Sequence, residues 1–266
     1  MTAMTAMTAA GRGYTPVAIE VRDLAVAYDG KTIFSGVSFD VRQGEVFVIL
    51  GGSGCGKSTL LKRMIGLRPP EAGSVRFGGA DIVTAAGAER SALLRSFGVM
   101  YQGGALFGSM TVLENVRLPL DEFTSLPLAA RNVVALGKLA LVGLSEAAGK
   151  MPADLSGGMV KRAAIARAMA LDPGILFLDE PSAGLDPLTS AGLDATIRSL
   201  SRELGITFVV VTHELQSILA IADRCIMLDA EAATAIAEGD PRLLREQSPD
   251  PRVRRFLTRA GPVPEE

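Results

Sequence analysis

The chain has 266 residues, which is enough for one large domain or two small ones. Hydrophobic residues make up 48% of it and charged residues 21%, a balance typical of a globular protein with a sizeable core. Its 27 Lys and Arg against 29 Asp and Glu leave no basic excess that would indicate nucleic-acid binding, and no window approaches the roughly 18 to 20 apolar residues of a membrane span.

Residues 1–16 contain three copies of Met-Thr-Ala and lack both the basic and the apolar stretch of a signal peptide, so we expect a disordered tail. The two cysteines, Cys55 and Cys225, have the spacing of neither a metal site nor a disulfide framework. This cysteine usage predicts a reducing, cytosolic location. Cys55 precedes a predicted helix, whose N-terminus lowers the pKa of a nearby thiol. We nevertheless expect this cysteine to be a small space-filling residue and not a nucleophile.

Residues 19–26 alternate between apolar and polar side chains, which predicts a strand. Asp29 and Gly30 then predict a hairpin turn towards a second strand at 37–41. Tyr28 precedes this turn. Its ring is either an exposed turn residue or a flat surface on which an adenine base can stack, and the sequence leaves both interpretations open.

A glycine-rich loop at 51–59 fits the pattern G-x-x-x-x-G-K-[ST], whose backbone N–H groups surround nucleotide phosphates. The apolar run at 46–50 predicts a buried parallel strand before it, and 57–65 predicts a helix after it. Strand, turn and helix N-terminus together place unpaired N–H groups and the positive end of the helix dipole at one point. We expect Lys57 to reach the outer phosphates and Ser58 to ligate Mg²⁺. The residues predicted to bind the nucleotide here are Gly51, Gly52, Ser53, Gly54, Cys55, Gly56, Lys57, Ser58 and Thr59.

A further strand at 97–101 ends at Gln102. Alone, a glutamine after a strand is usually just solvated. From 105 to 150 the sequence gives no strand signal and places Leu, Ala and Val at helical spacing. We therefore predict a helical subdomain, about 105–152, inserted into an α/β core.

A second glycine pair opens the next predicted helix, which runs from 157 to about 171. Ser156 is a natural N-cap, and Gly157 and Gly158 leave backbone N–H groups uncovered at the helix N-terminus. This arrangement is either a second anion site or an ordinary cap with flexible glycines.

Polar side chains follow two more predicted strands. The apolar strand at 175–178 ends at Asp179 and Glu180, and the strand at 206–211 is followed by His213, the only histidine. Successive strand side chains point to opposite faces, so one carboxylate can serve Mg²⁺ while its neighbour faces another part of a site. At the carboxyl end of a strand in a nucleotide-binding fold, such residues favour a functional interpretation.

The carboxyl-terminal segment, residues 241–266, is rich in Arg and Pro and is expected to be a solvated tail. Val253, Phe256 and Leu257 have helical spacing, which predicts one short amphipathic turn that docks on another surface.

Taken together, the motifs occur in the order typical of ABC transporter ATPases, and the chain resembles that family from Tyr28 to Ala237. The resemblance implies an α/β P-loop NTPase with a RecA-like parallel-sheet core, an antiparallel β subdomain and an inserted α-helical subdomain, over residues 17–240. The corresponding motifs are the A-loop aromatic Tyr28, the Walker A loop 51–59, the Q-loop glutamine Gln102, the signature 155–159, the Walker B strand 175–180, the D-loop 183–186 and the switch histidine His213.

The resemblance also implies a mechanism with ATP and Mg²⁺ as cofactors. Two copies pair head to tail, so that each nucleotide lies between 51–59 of one chain and Ser156, Gly157 and Gly158 of the other. A second helix N-terminus across the γ-phosphate binds ATP better than ADP, so ATP closes the dimer and hydrolysis opens it. The residues with implied roles in hydrolysis are Lys57 on the outer phosphates, Ser58, Gln102 and Asp179 on Mg²⁺, Glu180 as general base and His213 on the γ-phosphate.

Met159 departs from the family, which usually has glutamine after Leu-Ser-Gly-Gly. This variant, with segments 101–107, 110–116 and 249–257, resembles the Mla branch, the ATPases of systems that move phospholipids between bacterial membranes with MCE proteins. The implied partners are an integral-membrane permease, an MCE substrate-binding protein and a small accessory subunit. The chain would then lie at the cytoplasmic face of the inner membrane as a peripheral subunit, held through its partners only.

The permease contact is expected after Gln102, where five apolar residues either line a groove for a membrane subunit or form the core of the helical subdomain. These residues are Leu106, Phe107, Met110, Val112 and Leu113. Two other functions remain open: an ABC importer of amino acids or ions, and a soluble ABC machine of the DNA-repair or ribosome-factor type. The soluble class needs a long coiled-coil insert or a second ATPase domain, and 266 residues leave room for neither.

Overall fold

The computed structural model describes residues 15–28 and 30–258, without the side chain of Tyr28. Residues 1–14 of the predicted amino-terminal tail and residues 259–266 lie outside the described part of the chain. The strands are β1 (Val17–Tyr28), β2 (Lys31–Arg42), β3 (Val46–Gly51), β4 (Ala72–Phe77), β5 (Ala80–Asp81), β6 (Phe97–Met100), β7 (Ile175–Asp179), β8 (Thr207–Val211), β9 (Arg224–Asp229) and β10 (Thr234–Gly239). The helices are α1 (Lys57–Met64), α2 (Gly87–Arg95), α3 (Val112–Phe123), α4 (Leu128–Leu141), α5 (Gly157–Ala168), α6 (Pro187–Leu204), α7 (Leu215–Ile221), α8 (Pro241–Gln247) and α9 (Pro251–Thr258), with 3-10 turns at Ser145–Ala147 and Pro152–Asp154.

A six-stranded sheet in the order β10-β9-β3-β8-β7-β6 forms the centre of the molecule. All of its neighbouring strands are parallel except β10, which pairs antiparallel with β9 at one edge. Every residue of β3 is buried because the sheet is covered on both faces. The pleat directs Val46 and Val48 into one apolar core and Phe47 and Ile49 into the other.

A second, antiparallel sheet in the order β2-β1-β4-β5 covers one of these faces. The hairpin is present as predicted, since β1 and β2 pair antiparallel with Tyr28 opposite Lys31. Phe39 of β2 stacks on Phe47 of β3 with ring centroids 5.2 Å apart, which joins the two sheets through their shared core. The predicted antiparallel β subdomain beside a parallel core is therefore confirmed.

Helices α3 and α4 form the predicted insertion between β6 and β7, and 105–152 contains no strand. A capping box between Thr111 and Glu114 starts α3. Asn115 is fully buried, and its amide donates to the carbonyls of Phe107 and Met110 at 3.1 Å. These bonds fix the loop before α3, so the insertion is a packed unit and not a flexible excursion.

Helix α5 is shorter than predicted. It ends at Ala168, with Met169 as C-cap, whereas the sequence indicated about 171. The residues after Ala168 form a 3-10 type turn instead, in which the N–H of Ala170 donates to the carbonyl of Arg167 at 3.1 Å. The end of α5 lies directly against β6, since a Cβ on Gly98 of β6 would lie 2.0 Å from the carbonyl oxygen of Ala168.

The segment after β10 differs from the solvated tail expected by default. Residues 241–258 form α8 and α9, which pack against each other and against the central domain. Val253 and Leu257 are fully buried in the same core as β3. Arg252 anchors α9 through an ion pair with Asp229, 2.9 Å away at the end of β9. Among the helices of the described ranges, none is both long and apolar enough to span a bilayer.

One buried carboxyl in this fold makes stability depend on pH. Asp194 of α6 is only 6% exposed, and its Oδ1 has no hydrogen-bond partner. Burial raises the pKa of Asp194 to about 6, against an opposing hydrogen bond from Ser217. A carboxyl whose pKa is raised on folding favours the folded state while protonated, and this contribution is lost as the pH rises through about 6.

We therefore expect Asp194→Asn to stabilise the protein above pH 6 and to have little effect near pH 4. The gain at pH 8 should be at most about 3 kcal/mol, the value of a pKa difference of about two units. Urea unfolding of both proteins at pH 4 and pH 8 measures it. Glu203→Gln, which changes an exposed carboxyl of the same helix, is the control. An Asp194→Asn variant that is equally or less stable than the wild type at pH 8 would contradict the assignment.

Candidate functional site

The predicted functional side chains follow strands that are neighbours in the central sheet. Their carboxyl ends meet at one edge, where α/β sheets bind their ligands. A cavity of about 590 Å³ opens at this edge. Its walls are loop residues 51–54 and 56–59, together with Gln102, Glu180 and His213, and with Ile33 and Phe256.

The glycine-rich loop forms the floor of this cavity. Gly51 has a φ of 147°, and a Cβ there would lie 2.4 Å from the carbonyl oxygen of Leu228 and 2.6 Å from Cys55 Sγ, so only glycine fits. Helix α1 begins immediately after Gly56, and no side chain caps its first turn. Its N–H groups are therefore available to an anion, which the helix dipole also favours.

Lys57 lies over the loop at the same point. Its Nζ donates to the carbonyls of Gly51 at 2.9 Å and Gly52 at 3.0 Å. The ammonium and the N–H groups of α1 thus face one cavity, which is the chemistry that nucleotide phosphates require.

The thiol of Cys55 fills space in the loop, as expected from the sequence. Its side chain is buried and does not line the cavity. Burial raises the pKa of Cys55, and this outweighs the neighbouring Lys57 charge that lowers it. The position of the thiol against Gly51 supports the space-filling role that was expected from the sequence.

Ser58 of the loop contacts Asp179 at the end of β7, since Ser58 Oγ donates to Asp179 Oδ1 at 3.2 Å. Burial raises the pKa of Asp179, while the Ser58 hydrogen bond opposes the rise. Gln102 lines the same cavity. In residues 15–28 and 30–258, no group of three or more His, Cys, Asp or Glu side chains is arranged so that it could hold a metal ion by itself. A hydroxyl, an amide and one carboxylate fit Mg²⁺, which is held by one or two carboxylates plus substrate phosphates and not by a protein cage.

Glu180 is held in an unusual conformation at the end of β7. Its φ is 48°, in the left-handed region, and its N–H is bonded to the carbonyl of Val211 at 2.8 Å. Glu180 Oε1 lies 2.8 Å from Nδ1 of His213, whereas Oε2 is buried without a hydrogen-bond partner. Strained residues of this kind concentrate at functional sites. Glu180 lines the cavity, where its carboxylate is suited to accept a proton from a water molecule.

The residues of the second glycine motif lie elsewhere. Ser156 caps α5 as predicted and accepts from the N–H of Met159 at 3.4 Å. Neither it nor Gly157 nor Gly158 lines the cavity. A Cβ on Gly158 would lie 2.4 Å from Thr189 Cγ2, so this glycine is also required for packing against α6. Within one chain, the two predicted anion sites therefore remain separate.

Besides Ile33 in the cavity wall, Lys161 and Phe256 lie near the site and were not assigned to it from the sequence. Lys161 of α5 is 7% exposed, and its Nζ donates to the backbone carbonyls of Gln102 and Glu180. Burial lowers the pKa of Lys161, while Glu180 and Asp179 raise it. Phe256, predicted only to dock on some surface, lines the cavity from α9. The stacking role of Tyr28 stays a prediction, because its side chain lies outside the described part of the chain.

Comparison with known proteins places this site in a family. A family model described as ABC transporter matches residues 34–183. The chain is 39% identical to the intermembrane phospholipid transport system ATP-binding protein MlaF of Escherichia coli K12, over 92% of this chain and 91% of MlaF. It is also 39% identical to a protein of Mycobacterium leprae described as a probable ribonucleotide transport ATP-binding protein, mkl, over 98% of this chain and 75% of that protein.

A solved structure extends the comparison to three dimensions. A dimeric ATP-binding cassette in a post-hydrolysis state, with ADP and phosphate bound, superposes with a TM-score of 0.75 at 30% identity. The match covers 84% of this chain and 98% of that cassette. The phosphate-binding loop, the acidic strand end and the fold of this chain all agree with these comparisons. The protein belongs to the ABC transporter family as one of its ATPase subunits.

Proposed function

We propose that the chain powers phospholipid transport between bacterial membranes by closing and opening an ATP-driven dimer. The observation that supports this cargo most strongly is the 39% identity that extends over 91% of MlaF. The Leu-Ser-Gly-Gly-Met signature, with Met159 in place of glutamine, agrees with that branch. The mycobacterial relative is matched over 75% of its length and is described with a different cargo, so the cargo has to be tested directly.

The separation of the two glycine motifs supports a dimer. The cavity of one chain contains the phosphate loop, Glu180 and His213 but not Ser156, Gly157 or Gly158. The exposed N-terminus of α5 can complete the site of a second copy, since a helix N-terminus attracts phosphate. A homodimer paired head to tail then buries the γ-phosphate between two positive helix ends.

Each residue at the cavity has a distinct role in this mechanism. Lys57 and the N–H groups of α1 bind the phosphates of ATP. Ser58, Gln102 and Asp179 would hold Mg²⁺, which neutralises charge that develops on the phosphates when it is bound. Glu180 accepts the proton of the attacking water through its carboxylate, and His213 orients Glu180 through Nδ1. Nε2 of His213, which lies 3.9 Å from Glu214 Oε1, is proposed to face the γ-phosphate.

The permease is proposed to dock on an apolar groove beside the helical subdomain. A cavity of about 650 Å³ there is lined by Phe107, Leu118 and Phe123 among other apolar residues. Phe107 is 52% exposed and Phe123 is 54% exposed. For five apolar residues after Gln102, the sequence left two interpretations open: they line a groove for the membrane subunit, or they form the core of the helical subdomain. Phe107 lies in the groove, whereas Val112 is fully buried and Leu106 and Leu113 pack against the core.

This groove gives a prediction about coupling. Phe107→Ser should weaken binding of the membrane subunit by about 30-fold, because an aromatic residue at the centre of an interface contributes about 2 kcal/mol. ATP hydrolysis by the isolated subunit should not change, since only the backbone of Phe107 bonds to Asn115. Affinity co-purification with the membrane subunit measures binding. Val133→Ser, which alters an apolar residue of α4 that is 70% exposed and outside the groove, should bind normally.

The cargo is tested on the assembled complex. We propose to co-express the chain with its membrane partners, purify the complex and identify bound molecules by mass spectrometry. Phospholipid is expected, together with an MCE substrate-binding protein and a small accessory subunit, and the ATPase should associate with the cytoplasmic face of the inner membrane through them. Bound amino acids, ions or nucleotide cargo without phospholipid would refute the lipid assignment and leave the ATPase assignment intact.

A further inference from the structure

A buried lysine connects three parts of the site. Lys161 belongs to α5, the helix whose N-terminus carries Gly157 and Gly158. Its ammonium donates to the carbonyl oxygen of Gln102, at the end of the β6 segment, and to that of Glu180 at 3.4 Å, after β7. The two acceptors belong to the residues proposed to hold Mg²⁺ and to act as general base.

This position is costly for a charged side chain. Lys161 is 7% exposed, and its ammonium donates to two backbone carbonyls and not to a carboxylate. Taking an ammonium out of water is unfavourable unless hydrogen bonds compensate for it. The surrounding positions of α5 are small and apolar, and Ala163, Ala164 and Ile165 are fully buried, so an apolar residue would suit the local packing.

A second cation of the same helix, Arg167, also bonds to backbone carbonyls, which allows the two residues to be compared. Arg167 donates to the carbonyls of Gly104 at 2.9 Å and Ala105 at 2.7 Å, so it also fastens the segment after Gln102 to α5. Arg167 has no contact with Glu180. Of these two cations, only Lys161 joins the Gln102 segment to the end of β7.

We propose that Lys161 is a positioning residue for ATP hydrolysis, which fixes the backbone of Gln102 relative to that of Glu180 and ties both to the signature helix. Lys161 lies about one helical turn after Gly157, so a phosphate held at the N-terminus of α5 is about one turn from the residue that bonds to the backbone of Glu180 in the same chain. The proposal rests on the function proposed above and assigns to it a physical connection between the two nucleotide sites of a dimer.

The test removes the ammonium of Lys161 and keeps most of the length of its side chain. Lys161→Met should lower the single-turnover rate of ATP hydrolysis by about 10- to 100-fold, since a displacement of about 1 Å in a catalytic group has an effect of this size. The dissociation constant for ATP, measured without hydrolysis by fluorescent nucleotide titration, should stay within about threefold of the wild type, because Lys161 does not line the cavity. Lys138→Met, which removes a lysine paired with Asp172 away from the cavity, is the control and should leave both values unchanged.

Combination with Glu180→Gln distinguishes positioning from a general structural role. If Lys161 acts through Glu180, the double variant should hydrolyse ATP as slowly as Glu180→Gln alone, because residues that act as a unit are not additive. If Lys161→Met does not fold, as judged by its unfolding temperature, Lys161→Leu takes its place in both measurements, because the leucine side chain also has neither charge nor hydrogen-bond donor.

The outcomes separate this inference from the proposed function. A Lys161 variant with a wild-type rate, or with rate losses that add to those of Glu180→Gln, would overturn the positioning role while the ATPase mechanism stands. An ATP affinity that falls in parallel with the rate would also overturn it. A near-normal rate in Glu180→Gln itself would instead refute the general base, and with it the mechanism on which this inference rests.

Discussion

Glu180→Gln is expected to lower the rate of ATP hydrolysis by about 10²- to 10⁴-fold and to leave ATP binding intact. The carboxylate is 8% exposed, its Oε1 contacts His213 at 2.8 Å, and its Oε2 has no hydrogen-bond partner. An amide fills the same space and still bonds to His213, but it cannot accept a proton from water. The substitution therefore removes the proposed base without removing the phosphate loop that binds ATP.

The measurement combines turnover, affinity and association state. With ATP and Mg²⁺, the variant should elute as a stable dimer in size-exclusion chromatography, because unhydrolysed ATP keeps the two chains closed. Glu246→Gln, which changes an exposed carboxyl of α8 away from the cavity, serves as the control and should hydrolyse ATP normally. Near-normal turnover by Glu180→Gln would eliminate the proposed role of this residue.

The phosphate loop and the strand ends could be predicted from the sequence because each depends on local pattern. The unbroken apolar runs before Gly51 and Asp179 require a sheet covered on both faces, and parallel strands bring their carboxyl ends to one edge. The placement of Glu180 near His213 follows from the pairing of β7 with β8. Their direct contact at 2.8 Å does not follow, since it depends on the left-handed backbone of Glu180.

Other features depend on packing between distant segments. Lys161 and Gln102 are far apart in sequence, and nothing in the pattern of α5 tells which carbonyl its ammonium reaches. Cys55 shows a competition of effects, because proximity to a helix N-terminus predicted a lowered pKa whereas burial raises it. For Val253 and Leu257 the helical spacing was evident, but the sequence does not reveal which part of the core remains open to receive them.

Gly157→Asp is expected to reduce turnover by at least about 100-fold while each chain still binds ATP in its own phosphate loop. A carboxylate at the N-terminus of α5 would oppose the γ-phosphate bound to the other chain, and like charges in contact cost several kcal/mol. A Cβ on Gly157 would lie 3.3 Å from Leu185 Cδ2, a contact that a small shift relieves, whereas Gly158 has no such room beside Thr189. Gly157→Ala is therefore a matched control that should retain much more turnover than the Asp variant.

Mixed dimers give the sharpest form of this test. One chain carries Gly157→Asp and the other Glu180→Gln, and two different affinity tags isolate the mixed pair. In a head-to-tail dimer, the intact Glu180 of the first chain faces the intact Gly157 of the second, so one of the two sites is complete. The mixed dimer should then hydrolyse about half of its bound ATP in a single turnover, whereas each variant alone hydrolyses almost none. If each chain instead formed a whole site by itself, both sites of the mixed dimer would be defective and no ATP would be consumed.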